Sequence, residues 1–456
     1  MPGVLLTHSN RVFSDAKQTS RMQPYPPLQT LLAAAFLRDR GISVELFDPA
    51  LTNAVTGFRA ALNRASPSLV AVCEDDFNFL SKMCLAHNRA LAFSMARLAS
   101  LAGVPAVAHG HDASDHPHEY LNAGFSAVLV GEVEDTLLEI AQGQPWEAIA
   151  GLVYRKDGAQ RRNPSRPLRT DLDSLPLPAW DMVDMNLYRD AWTAAHGYFS
   201  LNVASSRGCP YRCNWCAKPI HGNNYHARSP QSVAREMLYL KNAFHPDHIW
   251  FADDIFALSP RWTFEFAEAV EALDAKLPFK MQSRCDLMTR GTVEALARSG
   301  ATEIWMGAES GSQRILDAME KGTRVDDIRD ARLNLLRHGI RACFFLQFGY
   351  PGEQWPEILE TIQMIRETSP DDVGISVSYP LPGTRFHQIV SQQMGPKSNW
   401  TDSSDLSMMF RGAFSTEFYR ALADAIHIEV RGGPDLEEAW RRVEALRESS
   451  CMSEVA

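Results

Sequence analysis

The chain has 456 residues, of which 45% are hydrophobic and 22% are charged, and its formal net charge is −10. This composition is typical of a folded globular protein with room for two or three domains, and it excludes a fibrous or largely disordered chain. The acidic balance, without a dense run of Lys or Arg, disfavours binding to nucleic acid. No apolar segment approaches the roughly 20 residues that a membrane-spanning helix needs.

The eight cysteines of the chain are not preceded by a recognisable signal peptide, because the first residues, "MPGVLLTHSNRVF", have only a short apolar core and no basic flank. We therefore predict a cytoplasmic protein in which the thiols stay reduced and are available as metal ligands. Five cysteines stand alone in the sequence and are predicted to be structural: Cys73, Cys84, Cys285, Cys343 and Cys451.

Short aliphatic runs alternate with helical stretches over residues 1–141, as in "GVLLTH", "ISVELFDP", "SLVAVCEDD", "VPAVAHGH" and "SAVLVGEV". Apolar runs bounded by Gly, Pro or Asp are typical of buried parallel strands. The pattern predicts an α/β, doubly wound, Rossmann-like domain of about five strands. Ligands of this fold bind at the carboxyl ends of the strands. Candidate positions there include Gly110 and Glu132.

A Pro-rich piece, "NPSRPLRTDLDSLPLPAW", indicates a linker over residues 142–198. A second series follows over residues 199–390, in which six strands alternate with helices. This predicts a partial (βα)6 barrel with its chemistry at the carboxyl ends of the strands. Residues 391–456 hold two amphipathic helices and are predicted to form a small helical cap. The predicted barrel helices are 230–244, 261–273, 290–299, 324–338 and 356–367.

Three cysteines, Cys209, Cys213 and Cys216, lie within eight residues of the segment "SSRGCPYRCNWCAKP", where the first barrel strand ends. Three thiolates can hold a four-iron cluster and leave one iron open to a further ligand. Zinc is the alternative, but it needs a fourth ligand, and the neighbouring His221 lacks a partner at zinc-finger spacing.

The spacing of the three cysteines, with Trp215 before the last, resembles the signature of radical S-adenosylmethionine (SAM) enzymes. Four later segments resemble, in the same order, the subgroup of that family with an N-terminal cobalamin-binding domain. The resemblance covers about residues 1 to 390. The four segments are "FADDIF" at 251–256, "GAESGSQRILDAMEKGT" at 307–323, "FGYPGE" at 348–353 and "YPLPGTRF" at 379–386.

The resemblance implies that the three cysteines ligate a [4Fe-4S] cluster whose open iron binds SAM. An electron from the cluster would then cleave SAM to a 5′-deoxyadenosyl radical. It further implies that Trp215 lies near the adenine and that Glu309 and Ser310 contact the ribose or the methionine part. Since a buried carboxylate needs a partner, Arg284 is a candidate either to pair with Glu309 or to bind the carboxylate of SAM. A charge at the barrel rim is the alternative for Arg284.

Asp253 and Asp254 stand where the wider family has a Gly-rich segment that binds the methionine amino group. The sequence departs there from the general pattern but agrees with the subgroup, so a role in SAM binding is implied. The alternative is that an aspartate caps the helix that follows.

The segment "GHDASDHPHEYLNAGFSAVLVGEVEDTLLEI", which includes Gly110 and Glu132, resembles the closing half of the subgroup's cobalamin-binding domain. Gly110 would leave room for a bulky ligand tail. The Asp-x-His-x-x-Gly motif that supplies a lower-axial histidine in many cobalamin proteins is absent, so we expect cobalamin to bind without it. The alternative is a degenerate domain that only shapes the substrate pocket.

We therefore predict a cobalamin-dependent radical SAM enzyme that methylates an unactivated carbon of a small molecule or biosynthetic intermediate. Flavodoxin or ferredoxin would donate the electron, and no protein side chain is assigned a catalytic role. A radical SAM oxidoreductase or cyclase that forms or contracts a ring is the alternative. A non-catalytic cobalamin or Fe–S protein is disfavoured because the barrel motifs are intact, and tRNA methylthiolation is disfavoured by the acidic charge.

Overall fold

The computed structural model describes residues 3–452, with side chains as far as residue 449. The chain forms two compact units. The first comprises Met1–Pro210, Lys218–Asp253 and Asn399–Ser404, and the second comprises Tyr211–Ala217, Asp254–Ser398 and Asp405–Ala456. None of the helices in the described range combines the length and the hydropathy that crossing a membrane requires.

The first unit is built around a seven-stranded sheet. Its strands are β1 (Val4–Thr7), β2 (Val44–Phe47), β3 (Leu69–Cys73), β4 (Ala106–His109), β5 (Ala127–Leu129), β6 (Leu152–Lys156) and β7 (Ala159–Arg162). The strand order is β2-β1-β3-β4-β5-β6-β7, and β1 to β5 are parallel. In this order the switch point, where ligands of doubly wound sheets bind, lies between β1 and β3.

Helices cover both faces of this sheet. They are α1 (Ala16–Arg21), α2 (Leu28–Asp39), α3 (Ala54–Ala65), α4 (Phe79–Lys82), α5 (Ala86–Leu101), α6 (His111–Asp115), α7 (Pro117–Asn122) and α8 (Val133–Ala141). Val4 and Leu6 belong to a core that contains α2 and α8, whereas Leu5 belongs to one that contains α3 and α5. This alternation buries both faces of the strand and confirms the predicted doubly wound fold.

The segment 142–198, predicted to be a linker, contributes the antiparallel hairpin β6–β7 to the sheet, with β6 beside β5. The turn between the two strands is Asp157-Gly158, and both residues have positive φ, 52° and 77°. An Asp-Gly pair is a strong hairpin signal because both central residues of a type I′ turn need this conformation. Strand β7 was not predicted because its exposed, charged side chains do not form an apolar run.

The rest of the first unit begins the second βα series. Its elements are α9 (Met185–His196), β8 (Ser200–Val203), β9 (Ser206–Arg207), β10 (His226–Ala227), α10 (Pro230–Phe244) and β11 (His248–Phe251). Strands β8 and β11 are parallel neighbours. The short segment 399–404 also belongs to this unit, since Asn399 Nδ2 donates to Cys84 O (2.9 Å) and Ser403 N to Asp15 Oδ2 (2.7 Å).

The second unit continues the series with four parallel strands, β12 (Phe279–Ser283), β13 (Ala301–Glu309), β14 (Arg341–Phe348) and β15 (Asp372–Val377), which pair in chain order. Its helices are α11 (Pro260–Ala272), α12 (Arg290–Ser299), α13 (Gln313–Ala318), α14 (Val325–Arg337), α15 (Trp355–Thr368), α16 (Arg385–Val390), α17 (Thr416–Arg431) and α18 (Leu436–Met452).

The helices of the second series begin and end close to where the sequence predicts. Helices α10 and α12 have the predicted bounds, and α11, α14 and α15 differ from them by one residue at each end. The precision comes from local capping, since Ser229 and Thr289 each accept a hydrogen bond from a backbone N–H of the first turn. Gly300, with φ of 112°, ends α12.

Glu353 lies in the turn that follows β14 and is 1% exposed. Its Oε2 accepts a hydrogen bond from Gly349 N, while Oε1 has no partner among the described residues. Burial raises the pKa of Glu353 to about 8, and the Glu357 carboxylate adds to this, while the Gly349 amide and Arg314 oppose it. The folded protein therefore holds this proton more tightly than the unfolded chain does.

We predict that Glu353 makes stability fall as the pH rises from its unfolded pKa of 4.5 through about 8. Glu353→Gln resembles the protonated acid and should remove this slope. Urea midpoints measured between about pH 6 and about pH 9 should show the wild-type protein losing stability relative to Glu353→Gln. The exposed control Glu360→Gln, on the helix α15 that follows Glu353, should follow the wild type. Parallel profiles for wild type and Glu353→Gln would contradict this assignment.

Candidate active site

The loop that leaves β8 carries the three cysteines, and its start is held by Asp253. This carboxylate accepts hydrogen bonds from Ser205 N (3.1 Å), from Ser205 Oγ (2.8 Å) and from Ser206 Oγ. Burial raises the pKa of Asp253 to about 6, although the two serines oppose the rise. Asp253 was predicted to bind SAM. In the structure its carboxylate oxygens instead accept hydrogen bonds from the segment that leads to Cys209.

In the second unit Asn214 fixes the segment between Cys213 and Cys216. Its backbone N–H donates to Met319 O (3.0 Å) and its Nδ2 to Ala318 O (2.8 Å). The hydroxyl of Tyr350, from the "FGYPGE" segment, donates to Asn214 Oδ1 (3.0 Å). These bonds connect residues 213–216 to the end of α13, so this segment of the second unit has a defined position relative to β13 and β14.

Trp215 packs against an apolar cluster that includes Met319, Tyr350 and Phe386. Its Nε1 is buried and has no hydrogen-bond partner among the described residues. Lys321 Nζ lies 6.0 Å from the centre of the ring. The structure thus places Trp215 beside the strand-end residues, and its proximity to an adenine stays a prediction.

The cysteines within the described side chains fall into two groups, and all are free thiols. Cys209, Cys213 and Cys216 are partly buried, whereas Cys73, Cys84, Cys285 and Cys343 are buried. Burial raises the pKa of Cys285 to about 12 and raises the pKa of the other three buried thiols as well. Neutral, buried thiols are poor metal ligands. Cys451 lies outside the described side chains.

Glu309, at the end of β13, forms an ion pair with Lys321 (2.8 Å). The two side chains are almost equally buried, with 6% of Glu309 and 7% of Lys321 exposed. Arg284 was a predicted partner of Glu309, but in the structure Glu309 pairs with Lys321. Burial alone would lower the pKa of Lys321, but the Glu309 carboxylate and then Cys213 raise it. Lys321 is therefore a cation that faces both Glu309 and the cysteine loop.

Backbone geometry at the end of β13 makes room for this pair. Glu309 has a φ of 61°, an uncommon conformation for a residue with a side chain, and the strand register shifts between Gly307 and Glu309. A Cβ atom at Gly307 would lie 2.6 Å from both Glu309 Oε1 and Lys321 Nζ. A side chain at position 307 would therefore require the Glu309 and Lys321 head groups to shift from their present positions over the strand.

Arg284, at the end of β12, is held by its own neighbours. Its Nε and Nη2 donate to the two oxygens of Asp286 (2.9 and 3.1 Å), and its Nη1 donates to Lys321 O (2.8 Å). The guanidinium lies 3.7 Å from the centre of the Tyr211 ring. Arg284 is 5% exposed. Its contacts hold the backbone of Lys321 and the ring of Tyr211, which lies between Cys209 and Cys213.

Ser310 and Asp254, two further predicted site residues, differ in their surroundings. Ser310 is fully buried, where its hydroxyl contacts Thr361 Oγ1 (3.2 Å) and accepts from Ser312 N (3.1 Å). It therefore attaches the end of β13 to α15. Asp254 is exposed. A role of either residue in cofactor binding remains a proposal.

In the first unit the loop after β5 is bound by Arg207, which precedes the cysteines. Arg207 donates to Glu132 Oε1 (2.7 Å) and to Glu134 Oε1 (2.5 Å), and all three side chains are buried. Burial alone would raise the pKa of Glu134, but the guanidinium lowers it to about 2. Glu132 also accepts from Arg169 N (2.6 Å). The predicted cofactor residue Glu132 is thus part of an internal ion-pair network.

Gly110, after β4, lies against Glu74, which follows β3. A Cβ atom at position 110 would be 2.7 Å from Glu74 Cβ, so Glu74 takes up the room that the glycine leaves. This edge of the sheet also has buried polar atoms without a partner among the described residues: Glu74 Oε2, His109 Nδ1 and Ser114 Oγ. A ligand tail beside Gly110 stays a prediction, and it requires Glu74 to move.

Among the described residues, no set of three or more His, Cys, Asp or Glu side chains has the arrangement of a metal-binding group. Lys321, Asn214 and Arg207 are the site residues that sequence reasoning missed. All three lie inside segments that were singled out, "AMEKGT", "CNWC" and "SSRGC". Lys321 lies in the same motif, 307–323, as Glu309, and this was the signal available for the partner of that carboxylate.

The model of the Radical SAM superfamily matches residues 203–365 of this chain. This part of the chain, 163 of its 456 residues, is therefore similar to that superfamily. The matched range begins at the end of β8 and ends in α15. It therefore includes the cysteine loop, Arg284 and the Glu309–Lys321 pair.

Sequence relatives are similar over part of their length. An uncharacterized methyltransferase, PH0819, of Pyrococcus horikoshii is 27% identical over 282 residues, which are 60% of this chain and 60% of that protein. An anaerobic magnesium-protoporphyrin IX monomethyl ester cyclase of Synechocystis is 22% identical over 247 residues, 54% of this chain and 48% of the cyclase. The chain thus spans about half to three fifths of these two relatives.

Two solved structures resemble the chain over most of its length. The radical SAM methyltransferase TsrM of Kitasatospora setae superposes with a TM-score of 0.70 at 20% identity. The superposition covers 87% of this chain and 76% of TsrM. The cobalamin-dependent SAM radical enzyme OxsB has a TM-score of 0.74 at 17% identity and covers 99% of this chain and 72% of OxsB. These similarities confirm the predicted fold, a doubly wound domain followed in the chain by a partial barrel.

We predict that Lys321→Met destabilises the protein by about 3 to 5 kcal/mol, because it leaves the Glu309 carboxylate buried without a counter-charge. Urea unfolding followed by circular dichroism measures the loss. Adding Glu309→Gln to Lys321→Met should restore much of it, since neither side chain is then charged. The control Arg329→Met, which removes an exposed pair with Glu367, should cost less than about 1 kcal/mol. Equal losses in Lys321→Met and Arg329→Met would refute the buried pair.

Proposed function

We propose that the protein is a cobalamin-dependent radical SAM enzyme that methylates an unactivated carbon of a small-molecule substrate. The observation that carries the proposal is the separation of the thiols. Three free, partly buried cysteines share one loop of the radical SAM domain, and the other cysteines with described side chains are buried and have raised pKa values.

The donor set fits a [4Fe-4S] cluster held by Cys209, Cys213 and Cys216, because three thiolates leave one iron free for SAM. When bound, the cluster and SAM together supply a 5′-deoxyadenosyl radical, and cobalamin supplies a methyl group. The chain's own contribution is to fix the loop through Asn214 and to place positive charge beside Cys213 through Lys321 and Arg284.

Lys321 and Glu309 are the residues of the second unit best suited to hold the charged end of SAM. Lys321 has three N–H donors, and Glu309 is the side-chain partner with which the structure pairs it. The pair offers both a cation for a carboxylate and a carboxylate for an ammonium group. Arg284 has less to offer, because four of its donor contacts already go to Asp286 and to two backbone carbonyls.

The carboxyl edge of the doubly wound sheet fits cobalamin in one respect. The corrin carries amide side chains, which can pair with the orphaned atoms of His109 and Ser114. The similarity to OxsB, whose name describes it as cobalamin-dependent, supports the same ligand here. Gly110 and Glu132 remain the proposed contacts of cobalamin. The side chain of Glu74 must move to make room for the ligand beside Gly110.

A ring-forming oxidoreductase is the second candidate, favoured by the cyclase of Synechocystis among the relatives. Both candidates need an electron donor such as flavodoxin or ferredoxin. Both also fit a reducing compartment, the cytoplasm, since the seven cysteines with described side chains are free thiols. The products separate the two functions, because methyl transfer also converts a second SAM to S-adenosylhomocysteine.

We predict that the protein, reconstituted anaerobically with iron and sulfide, forms 5′-deoxyadenosine from SAM under a strong reductant. Replacing Cys209, Cys213 and Cys216 with alanine should abolish this product and the broad absorption of the cluster near about 400 nm. The matched control Cys73→Ala removes a buried thiol and should retain both. Accumulation of S-adenosylhomocysteine with the correct substrate supports methylation, and its absence at full turnover supports the cyclase. Activity that survives the triple substitution would refute the function.

We predict that hydroxocobalamin binds the full chain in a one-to-one complex, measured by gel filtration and by the visible spectrum of the corrin. Glu74→Ala should strengthen binding, because it frees the room beside Gly110. Gly110→Leu should weaken it at least about 10-fold if the tail lies there. Absence of a complex with both wild type and Glu74→Ala would instead favour a degenerate first domain.

A further inference from the structure

Two aromatic rings stack on one face of the sheet in the second unit. Trp305 of β13 and Phe345 of β14 have ring centres 5.0 Å apart and planes inclined by 29°. Phe345 is 37% exposed although β14 has a parallel neighbour on each side. We call these two residues the Trp305–Phe345 platform. A large aromatic ring left exposed in the middle of a sheet is unfavourable unless something covers it.

The neighbouring strand is shaped to fit the platform. Gly374 of β15 pairs in register with Phe345. A Cβ atom at Gly374 would lie 3.0 Å from Phe345 Cδ1 and 3.3 Å from Trp305 Cζ3. Both rings therefore extend over the glycine, and a side chain at position 374 would make each ring shift by a few tenths of an ångström.

The opposite face of the same strands is fully packed. Ile304, Met306, Phe344 and Leu346, which alternate with the platform residues, are at most 1% exposed. Since side chains alternate between faces along a strand, the platform belongs to the face that helices of this unit leave partly open. The exposure of Phe345 is therefore specific to one face.

The platform ends at a charged group on one side and at the candidate site on the other. Towards the start of the strands, Glu303 pairs with Arg341 (3.0 Å) and accepts the indole N–H of Trp305 (2.8 Å). Towards their end, Gly307 follows Trp305 by two residues, roughly 7 Å along the strand. The Cβ position of Gly307 borders the Glu309–Lys321 pair, so the platform and that pair share one face.

We propose that the Trp305–Phe345 platform binds a flat, uncharged ring of the substrate. This rests on the proposed function, which makes the end of β13 the reaction site. With its N–H already bonded, Trp305 offers only its ring face, and Phe345 has no polar group. At the near end Glu303 pairs with Arg341, and Lys280 of β12 lies in register with Glu303, so the charges there are separated from the two rings by being held at the start of the strands. Flat rings gain stacking contacts on such a surface that puckered rings of the same size do not.

The test compares two neutral probes, 2-naphthamide and its saturated analogue decahydro-2-naphthamide, on the full chain with its cluster and SAM. Calorimetry gives the dissociation constants, and saturation-transfer NMR shows which protons of the probe lie close to the protein. We expect the flat probe to bind about 5-fold more tightly. Phe345→Ala should weaken it about 10-fold and remove the preference, and Gly374→Ala should reduce the preference by displacing the rings.

Phe264→Ala is the matched control, because Phe264 is 40% exposed and lies on helix α11 instead of the sheet. It should leave both constants unchanged. Equal binding of the two probes, or equal loss in Phe264→Ala and Phe345→Ala, would overturn the platform. The outcome is separate from the proposed function, since probe binding does not require turnover. A chain that forms 5′-deoxyadenosine without preferring the flat probe refutes the platform alone, and the reverse result refutes the function alone.

Discussion

The buried ion pair between Glu309 and Lys321 is the interaction on which the candidate site of the second unit depends. Two charges at 6% and 7% exposure are costly to remove from water, and the cost is offset only if their geometry is good. Gly307 and the left-handed backbone of Glu309 provide that geometry. The pair in turn sets the position of Lys321, whose carbonyl holds Arg284 and whose charge faces Cys213. A substitution of Gly307 would therefore affect the cysteine loop indirectly, through the position of Lys321.

Several carboxylates that a motif would assign to cofactor binding are already used to build the loops around the site. Asp253 accepts from two serines, and Glu132 shares Arg207 with Glu134. Buried polar groups cost least when they pair with each other, so these residues make the cysteine-bearing segment rigid. Under the proposed function their contribution is indirect, since a radical reaction needs its reacting atoms held still and shielded from water. Glu309 differs, because its cationic partner also faces the cysteines.

The elements of the fold could be predicted wherever the signal is local. Caps such as Ser229 and Thr289 fix helix ends, and buried runs such as "LVAVC" fix strands. The hairpin β6–β7 was missed because β7 is exposed and charged and β6 has only three apolar residues, although the Asp-Gly turn between them was visible. The partner of Glu309 could not be derived, since twelve residues separate it from Lys321 and only the bulge after Gly307 brings them together. Sequence spacing indicates which residues share a strand end, but not which of them pair.

The sheet face of the second unit combines three kinds of surface along strands β13 and β14. An ion pair, Glu303–Arg341, is followed by the bare rings of Trp305 and Phe345 and then by the Glu309–Lys321 pair. The charges at the end of the strands suit a zwitterionic cosubstrate, whereas the rings suit an apolar one. A carbon without activating groups offers an enzyme no charge to hold. Under the proposed function such a substrate is positioned by shape, and a rigid aromatic surface whose Trp305 lies four residues before Glu309 meets that requirement.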